Sequence, residues 1–276
     1  MFILDGNGNN TGLLNHDLNE IAEAYAEFKK GKEHTSEYIF SIQKQDIKDH
    51  YNINPQHYSP KLNIALSNIL DFNNRDHWST TTIGQLEAGI KIYIGPRWNS
   101  ANIKIDNPSD TSQLVPYLTA SGTLELRRFT VKWLDPIKAN ERQKSSMEML
   151  RVKEGDILIT RSGTIGRVTY ATKELAKNYI ISDDLIRVRV QNENLRAYLL
   201  TYFTSQTALA LMLLDEYGSV QQHLQPRHIQ EMLIPIPEDW SQVQKMIDVG
   251  KKYIQAMEEM ATADTYLREF GFDTII

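Results

Sequence analysis

Residues 155–168 read Gly-Asp-Ile-Leu-Ile-Thr-Arg-Ser-Gly-Thr-Ile-Gly-Arg-Val, and this stretch decides what kind of fold the chain makes. Asp156-Ile157-Leu158-Ile159-Thr160 is a short apolar, β-branched run and reads as a strand; Gly166-Arg167-Val168-Thr169-Tyr170-Ala171 reads as another. Ser162-Gly163-Thr164-Ile165-Gly166 joins them by a turn with two residues free to take positive φ. Such a turn can offer backbone N–H groups and hydroxyls to a phosphate, with Arg161 and Arg167 at its edges. It can equally be a hairpin and nothing more. A nucleotide-binding P-loop is excluded, because the Gly-Lys-Ser/Thr ending is missing.

Toward the C-terminus, Leu185, Arg187 and Arg189 alternate with Ile186, Val188 and Val190, the pattern of a half-buried strand. Leu195 to Leu214 reads as one buried helix carrying Tyr198, Leu199, Tyr202, Phe203, Leu209 and Met212, ending at Tyr217-Gly218. Gln221, Gln222, His223, Gln225, Arg227 and His228 follow as a dense polar cluster. Gln pairs bidentately with adenine and Arg with guanine, so the cluster suits base-edge reading. The alternative is a solvated turn before a short helix started by Pro226, since Val220 and Leu224 indicate packing. After Pro235-Ile236-Pro237, Asp239 is a good N-cap for an amphipathic helix running to about Phe270. Its apolar residues Val243, Met246, Ile247, Ile254, Met257, Met260, Ala261 and Leu267 fall at steps of three and four. That stripe requires a cover, either its own domain or another subunit.

Toward the N-terminus, Lys91-Ile92-Tyr93-Ile94 is strand-like, and Trp78 opens the block to which it belongs. Arg127-Arg128-Phe129 and Lys132-Trp133 set cations beside aromatics, useful on nucleic acid or simply a core edge with solvated charges. Residues 43–60, with Pro55 and Pro60, read as an extended connection after the short strand Tyr38–Ile42. Leu18, Ile21, Ala22, Tyr25 and Phe28 mark a helix over 17–30, capped by Asn15 or Asp17 and ended by Gly31. Residues 1–14 have the Gly/Asn composition of loops. No regular βαβ period appears, so the class is α+β: a globular domain of mixed strands and helices followed by a long C-terminal helix. The expected organisation is an N-terminal segment 1–74, a main domain 75–237 and a helix 238–276.

Cysteine is absent, which excludes disulfides, thiolate metal sites and cysteine nucleophiles. No apolar run reaches membrane-spanning length and no cleavable signal opens the chain, so it reads as a soluble cytoplasmic protein. The formal net charge of −5 argues against a uniformly basic surface. The acids gather near the start and in the last helix, however, while the middle carries Arg97, Arg127, Arg128, Lys132, Lys138, Arg142, Lys144, Arg151, Lys153, Arg161 and Arg167. An enzyme needs a constellation, and none stands out. Asp183-Asp184 lacks the Glu-x-Lys partner of a metal nuclease and suits a turn before a strand. The histidines show no zinc spacing, and no serine sits in a nucleophile elbow.

Read together, residues 155–168, Ser182-Asp183-Asp184-Leu185-Ile186-Arg187, and Tyr217-Gly218-Ser219-Val220-Gln221-Gln222-His223-Leu224 with Ile234-Pro235-Ile236-Pro237 resemble the specificity subunits of type I restriction–modification systems. The resemblance covers about residues 75–270 and corresponds to one target recognition domain with its spacer helix. Residues 17–28 and 45–58 are similar to the C-terminal tail of a type I adenine methyltransferase subunit. The Asn/Asp-Pro-Pro-aromatic tetrapeptide and a glycine-rich S-adenosylmethionine turn are absent from them. This combination implies a fragment or remnant of a fused modification–specificity polypeptide.

The resemblance implies a non-catalytic DNA reader whose partners are double-stranded DNA, an adenine methyltransferase subunit, a homodimer mate or second specificity half, and a restriction subunit. The chain itself would hold no cofactor, and S-adenosylmethionine would sit on the methyltransferase partner. The candidate DNA contacts are Arg127, Arg128, Lys132, Arg161, Ser162, Thr164, Arg167, Gln221, Gln222, His223, Gln225 and Arg227. The candidate interface residues are Val243, Ile247, Ile254, Met257, Met260 and Leu267. The alternative role is an assembly adaptor with little DNA binding of its own; a methyltransferase or nuclease is a third reading.

Overall fold

A computed structural model describes residues 2–4, 10–14, 18–32, 60–86, 89–106, 108–125, 131–213 and 223–270. The strand expected at Tyr38–Ile42, most of the 43–60 connection, and Gly218 lie outside these residues. The chain divides into two compact units, residues 1–64 and 65–276. In the first, β1 (Phe2–Leu4) pairs antiparallel with β2 (Asn10–Leu14), and α1 (Leu18–Phe28) ends before Gly31, which takes φ 72°.

The division falls within helix α2 (Pro60–Leu70), which leads through a 3₁₀ turn (Asp71–Asn74) into β3 (Trp78–Thr82) of the second unit. The elements that follow are β4 (Lys91–Ile94), β5 (Lys104–Ile105), β6 (Val115–Leu118), α3 (Ala120–Leu124), β7 (Val131–Leu134) and α4 (Glu141–Leu150). Then come β8 (Ile157–Thr160), β9 (Val168–Tyr170), α5 (Lys173–Asn178), β10 (Ile180–Ile181) and β11 (Leu185–Arg189). The C-terminal part holds α6 (Glu193–Phe203), α7 (Gln206–Met212), α8 (Pro226–Glu231), β12 (Leu233–Pro237) and α9 (Gln244–Glu269). The class is α+β, as the sequence implies.

Two four-stranded sheets, ordered β4-β11-β8-β9 and β10-β6-β7-β5, and the pair β12-β3 organise the described core. Strand alternation divides the work of the first sheet. Ile157, Ile159, Ile186 and Val188 point to a layer of helices, where they meet Tyr198, Leu199, Phe203, Val243 and Ile247. Leu158 and Leu185 point the other way and pack with Leu118 and Ile181 of the second sheet. A third cluster, Ile103, Tyr117, Leu134, Met147, Leu150 and Ile180, seats α4 on the far face of that second sheet.

Three expectations change. Residues 1–14, with the Gly/Asn composition of loops, contribute the paired strands β1 and β2. β11 is buried on both faces, not one: Leu185, Ile186, Arg187 and Val188 are all inaccessible, because helices cover one side and the second sheet the other. The helix expected from Leu195 to Leu214 is two helices. Ser205 leaves the helical region (φ −77°, ψ 154°), and its hydroxyl accepts from the Ala208 amide at 3.1 Å, capping a new helix. Asp239 caps as expected, accepting from Ser241 N at 2.9 Å at the start of a 3₁₀ turn (Trp240–Val243) that runs into α9.

Helix α9 lies along α6 at very close approach. A Cβ at Gly250 would stand 2.1 Å from the carbonyl oxygen of Ala197, so only glycine permits the crossing. The Thr201 hydroxyl donates to Met246 O at 2.9 Å, and Glu258 accepts from Lys173 N at the start of α5.

Candidate nucleic-acid interface

The three segments of the family resemblance converge on one residue. The backbone N–H of Arg161 donates to Asp184 O (3.2 Å) and its carbonyl accepts from Leu224 N (3.0 Å). Its Nε donates to Leu224 O at 3.2 Å. The β8–β9 hairpin, the Ser182–Asp184 turn and the 223–225 segment are thereby fastened together. Arg161, expected at the turn's edge as a DNA contact, is instead 2% exposed and is not presented at the surface. An arginine at the edge of a turn reads as a surface cation, whereas here its donors hold a neighbouring chain segment.

The turn itself is tightly determined. Gly163 and Gly166 take φ 68° and 78°, as their spacing implies. Thr160 N donates to Arg167 O at 2.9 Å and Gly166 N to Thr160 O at 3.0 Å. The Thr160 hydroxyl accepts from Arg167 N at 3.0 Å and donates to Thr164 O. Ser162 is therefore held half-buried, with Thr164 and Arg167 exposed at the rim.

A cleft of about 620 Å³ opens beside this turn, facing the short helix α3. Thr119, Ser121, Thr160, Ser162 and Thr164 give it hydroxyls; Arg167, Glu125 and Asp184 give it charge of both signs. Three expected contacts, Ser162, Thr164 and Arg167, thus share one concave surface. With one cation set against two carboxylates, the cleft suits hydrogen bonding to a ligand more than attraction of bulk negative charge. Next to it, burial and the neighbouring Asp184 push the Asp183 carboxyl above its ordinary value.

Other expected contacts are more scattered. His223 and Gln225 are half-buried; His223 Nδ1 is buried with no hydrogen-bond partner among the described residues. Arg227 is exposed at the start of α8, where Pro226 occupies the first helical turn and His228 Nδ1 accepts from Gln225 N at 3.2 Å. The short helix begun by Pro226 is therefore real. Lys132 stands on β7, outside the residues lining the hairpin cleft. Arg127, Arg128, Gln221 and Gln222 lie outside the described residues.

Beneath the turn, Asp156 and Arg189 form a bidentate pair, with Nε–Oδ1 and Nη2–Oδ2 both 2.8 Å and the carboxylate fully buried. Arg189 also donates to the Tyr93 hydroxyl. Arg187 is wholly buried; its Nη2 donates to Leu150 O at 3.1 Å, while Nε and Nη1 lack partners among the described residues. Burial pulls its guanidinium below the ordinary arginine value.

The expected helix stripe is largely a packing face. Val243 and Ile247 lie in the principal core, with Ile254 packed against it; Met257 is also buried. These residues cannot be presented to a partner while α9 stays docked. A second apolar line runs along the helix and just past its end, Val249, Tyr253, Ala256, Met260, Ala263, Leu267 and Phe270, alternating steps of four and three; only Met260 and Leu267 of these are among the expected interface residues. All but the half-buried Leu267 are exposed.

Residues 78–261, well over half the chain, match the family of the type I restriction modification DNA specificity domain, and the chain belongs to that family. Among solved structures, one describing type I R-M system assembly and conformational transition is 15% identical, covering 97% of this chain and 61% of that one (TM-score 0.43). The HsdS subunit from Thermoanaerobacter tengcongensis is 13% identical over 92% of this chain and 52% of its own (TM-score 0.42). A type I S subunit from M. genitalium is 13% identical over 92% and 71% (TM-score 0.41). The chain thus spans about half to three fifths of the first two. No curated protein matches it. No described helix is long and apolar enough to cross a membrane.

Proposed function

We propose that this chain reads DNA sequence for a type I restriction–modification system and acts as its non-catalytic specificity component. Its work is to place an adenine methyltransferase subunit, and a restriction subunit, on a target. Membership of the specificity-domain family over residues 78–261 carries the reading. The hairpin cleft supports it: Ser162, Thr164 and Arg167 project from a turn whose backbone is locked, and positioned donors suit backbone and base-edge contacts. Selection from a random duplex library, with the methyltransferase subunit supplied, should enrich one short motif. Binding should weaken steeply as salt rises. A library that emerges unenriched would overturn the proposal.

An assembly role is favoured by one further observation, the exposed four–three line on α9. Such spacing is that of a two-helix seam. The occupant is the same helix of a second copy, which would give a chain with one recognition domain a two-fold target. Tyr253→Glu with Met260→Glu should halve the mass seen by light scattering, while Val243→Glu should unfold the domain. An unchanged mass in the first variant would refute this pairing.

A further inference from the structure

A second cleft, about 510 Å³, lies between residues 97–102 and the first turn of α4, and it shares no lining residue with the hairpin cleft. One side chain braces it. Gln143 Nε2 donates to Asn99 O and to Asn102 Oδ1, both at 2.8 Å, and its Oε1 accepts from Asn140 N at 3.1 Å. Asn140 Oδ1 in turn accepts from Gln143 N, closing a capping box. The brace is neutral, satisfied and only 8% exposed. The rim is not neutral: it carries the exposed Arg97 and Arg142.

Two residues past Asn102, strand β5 brings Lys104 opposite Leu134, while β6 sets Tyr117 opposite Lys132. Lys104 and Lys132 are therefore diagonal neighbours on the sheet face that also bears Leu134 and Tyr117, the face covered by α4. They stand close enough that Lys132 holds the Lys104 ammonium below the usual lysine range. Asp106 counters this least of all the neighbouring influences.

Pairing separates these four cations from those around them. Lys138 meets Asp135 at 3.3 Å, Lys144 meets Glu141 at 2.9 Å and Arg151 meets Glu148 at 3.3 Å. Arg97, Arg142, Lys104 and Lys132 have no ion pair among the described residues. Two ammoniums pressed together and two guanidiniums flanking a cleft call for an anion from outside. A guanidinium fork matches a phosphate bidentately, and a lysine pair matches it as point charges. The bracing amide spends both of its N–H groups within the protein, and the four cations match phosphate oxygens, which carry no base identity, so the contact is with the backbone.

We propose that Arg97, Arg142, Lys104 and Lys132 form a second phosphate-binding surface, which grips the DNA backbone and sets the register in which the hairpin cleft meets its target. The proposal rests on the DNA-reading function. Its test is the salt dependence of binding of the full-length chain to a labelled random-sequence duplex. Each phosphate that the protein no longer neutralises lowers the slope of log K against log salt by about 0.9. Arg97→Gln/Arg142→Gln and Lys104→Gln/Lys132→Gln should each reduce the slope by roughly one to two such steps and weaken all duplexes alike. Lys104→Arg/Lys132→Arg should keep the slope, and so should Lys138→Gln/Lys144→Gln, which removes two cations already paired. Wild-type binding with an unchanged slope in both Gln variants overturns this inference alone. A wild-type chain that binds no duplex, alone or with the methyltransferase subunit, overturns the DNA-reading function as well.

Discussion

Replacing Arg189 by leucine isolates the anchor beneath the hairpin. The Asp156 carboxylate is 0% exposed and accepts three hydrogen bonds: two from Arg189 at 2.8 Å and one from Lys153 N at 3.0 Å. Arg189→Leu deletes two of the three and leaves a buried anion facing an alkyl group. Stripping one partner from a buried ion pair costs about 3–5 kcal/mol. At about 2–4 °C per kcal/mol for a domain of this size, the midpoint should fall by roughly 6–20 °C. Asp156→Asn should cost less, about 1–3 kcal/mol, because an amide keeps the shape and Arg189 retains some access to solvent. Combining both substitutions should be milder than their sum, since the charge that made Arg189→Leu severe is gone. Calorimetry, with urea unfolding followed by tryptophan emission, measures all three. A cost below about 1 kcal/mol for Arg189→Leu would class the pair with surface salt bridges and refute the reasoning.

Gly250→Ala ought to lower stability by about 1–3 kcal/mol, although alanine is the better helix former, because its methyl meets the Ala197 carbonyl; a raised midpoint would contradict the α6–α9 crossing. Gly166→Ala combines a positive φ with a Cβ 2.7 Å from Leu209 and should loosen the hairpin, read as faster amide exchange at Thr160 and Arg167. Burial holds the hydroxyls of Tyr198 and Tyr202 well above the ordinary tyrosine value. In the unfolded chain they ionise near pH 10, so stability present below about pH 10 is lost as pH rises past it. Tyr198→Phe with Tyr202→Phe should flatten that alkaline fall while costing about 1 kcal/mol per deleted bond near neutrality, since the carbonyls of Pro235 and Leu233 lose their donors.

Local chemistry was legible where it acts over a few residues. The Gly163/Gly166 turn, the strands around it, the Asp239 cap and the Pro226 helix start all depend on neighbours in sequence. Arg161 was misplaced because its partners, Asp184 and Leu224, are brought to it only by the fold. The cover of the α9 stripe stays open in the sequence for a related reason. A helix can carry two apolar lines, and periodicity alone does not say which is covered; the Gly250 approach to α6 settles it. Asn140 and Gln143 close their capping box within one turn, but the bonds that brace the second cleft reach back about forty residues to Asn99 and Asn102. For the same reason the Lys104–Lys132 pair appears only when β5 and β7 are aligned.

The pairing of β3 with β12 has a consequence for how the molecule can change. Trp78 stands opposite Pro237 and Thr82 opposite Leu233, so the chain enters and leaves its intervening segment at adjacent points. Outside that gateway lie α2 on one side and α9 on the other. Everything between Thr82 and Leu233 is therefore a loop in the topological sense, closed at its base by one antiparallel ladder. A stretch of foreign sequence with the same two end strands would meet the same ladder geometry, whatever it folds into between them. Both clefts lie within that loop, so exchange at one base replaces both together.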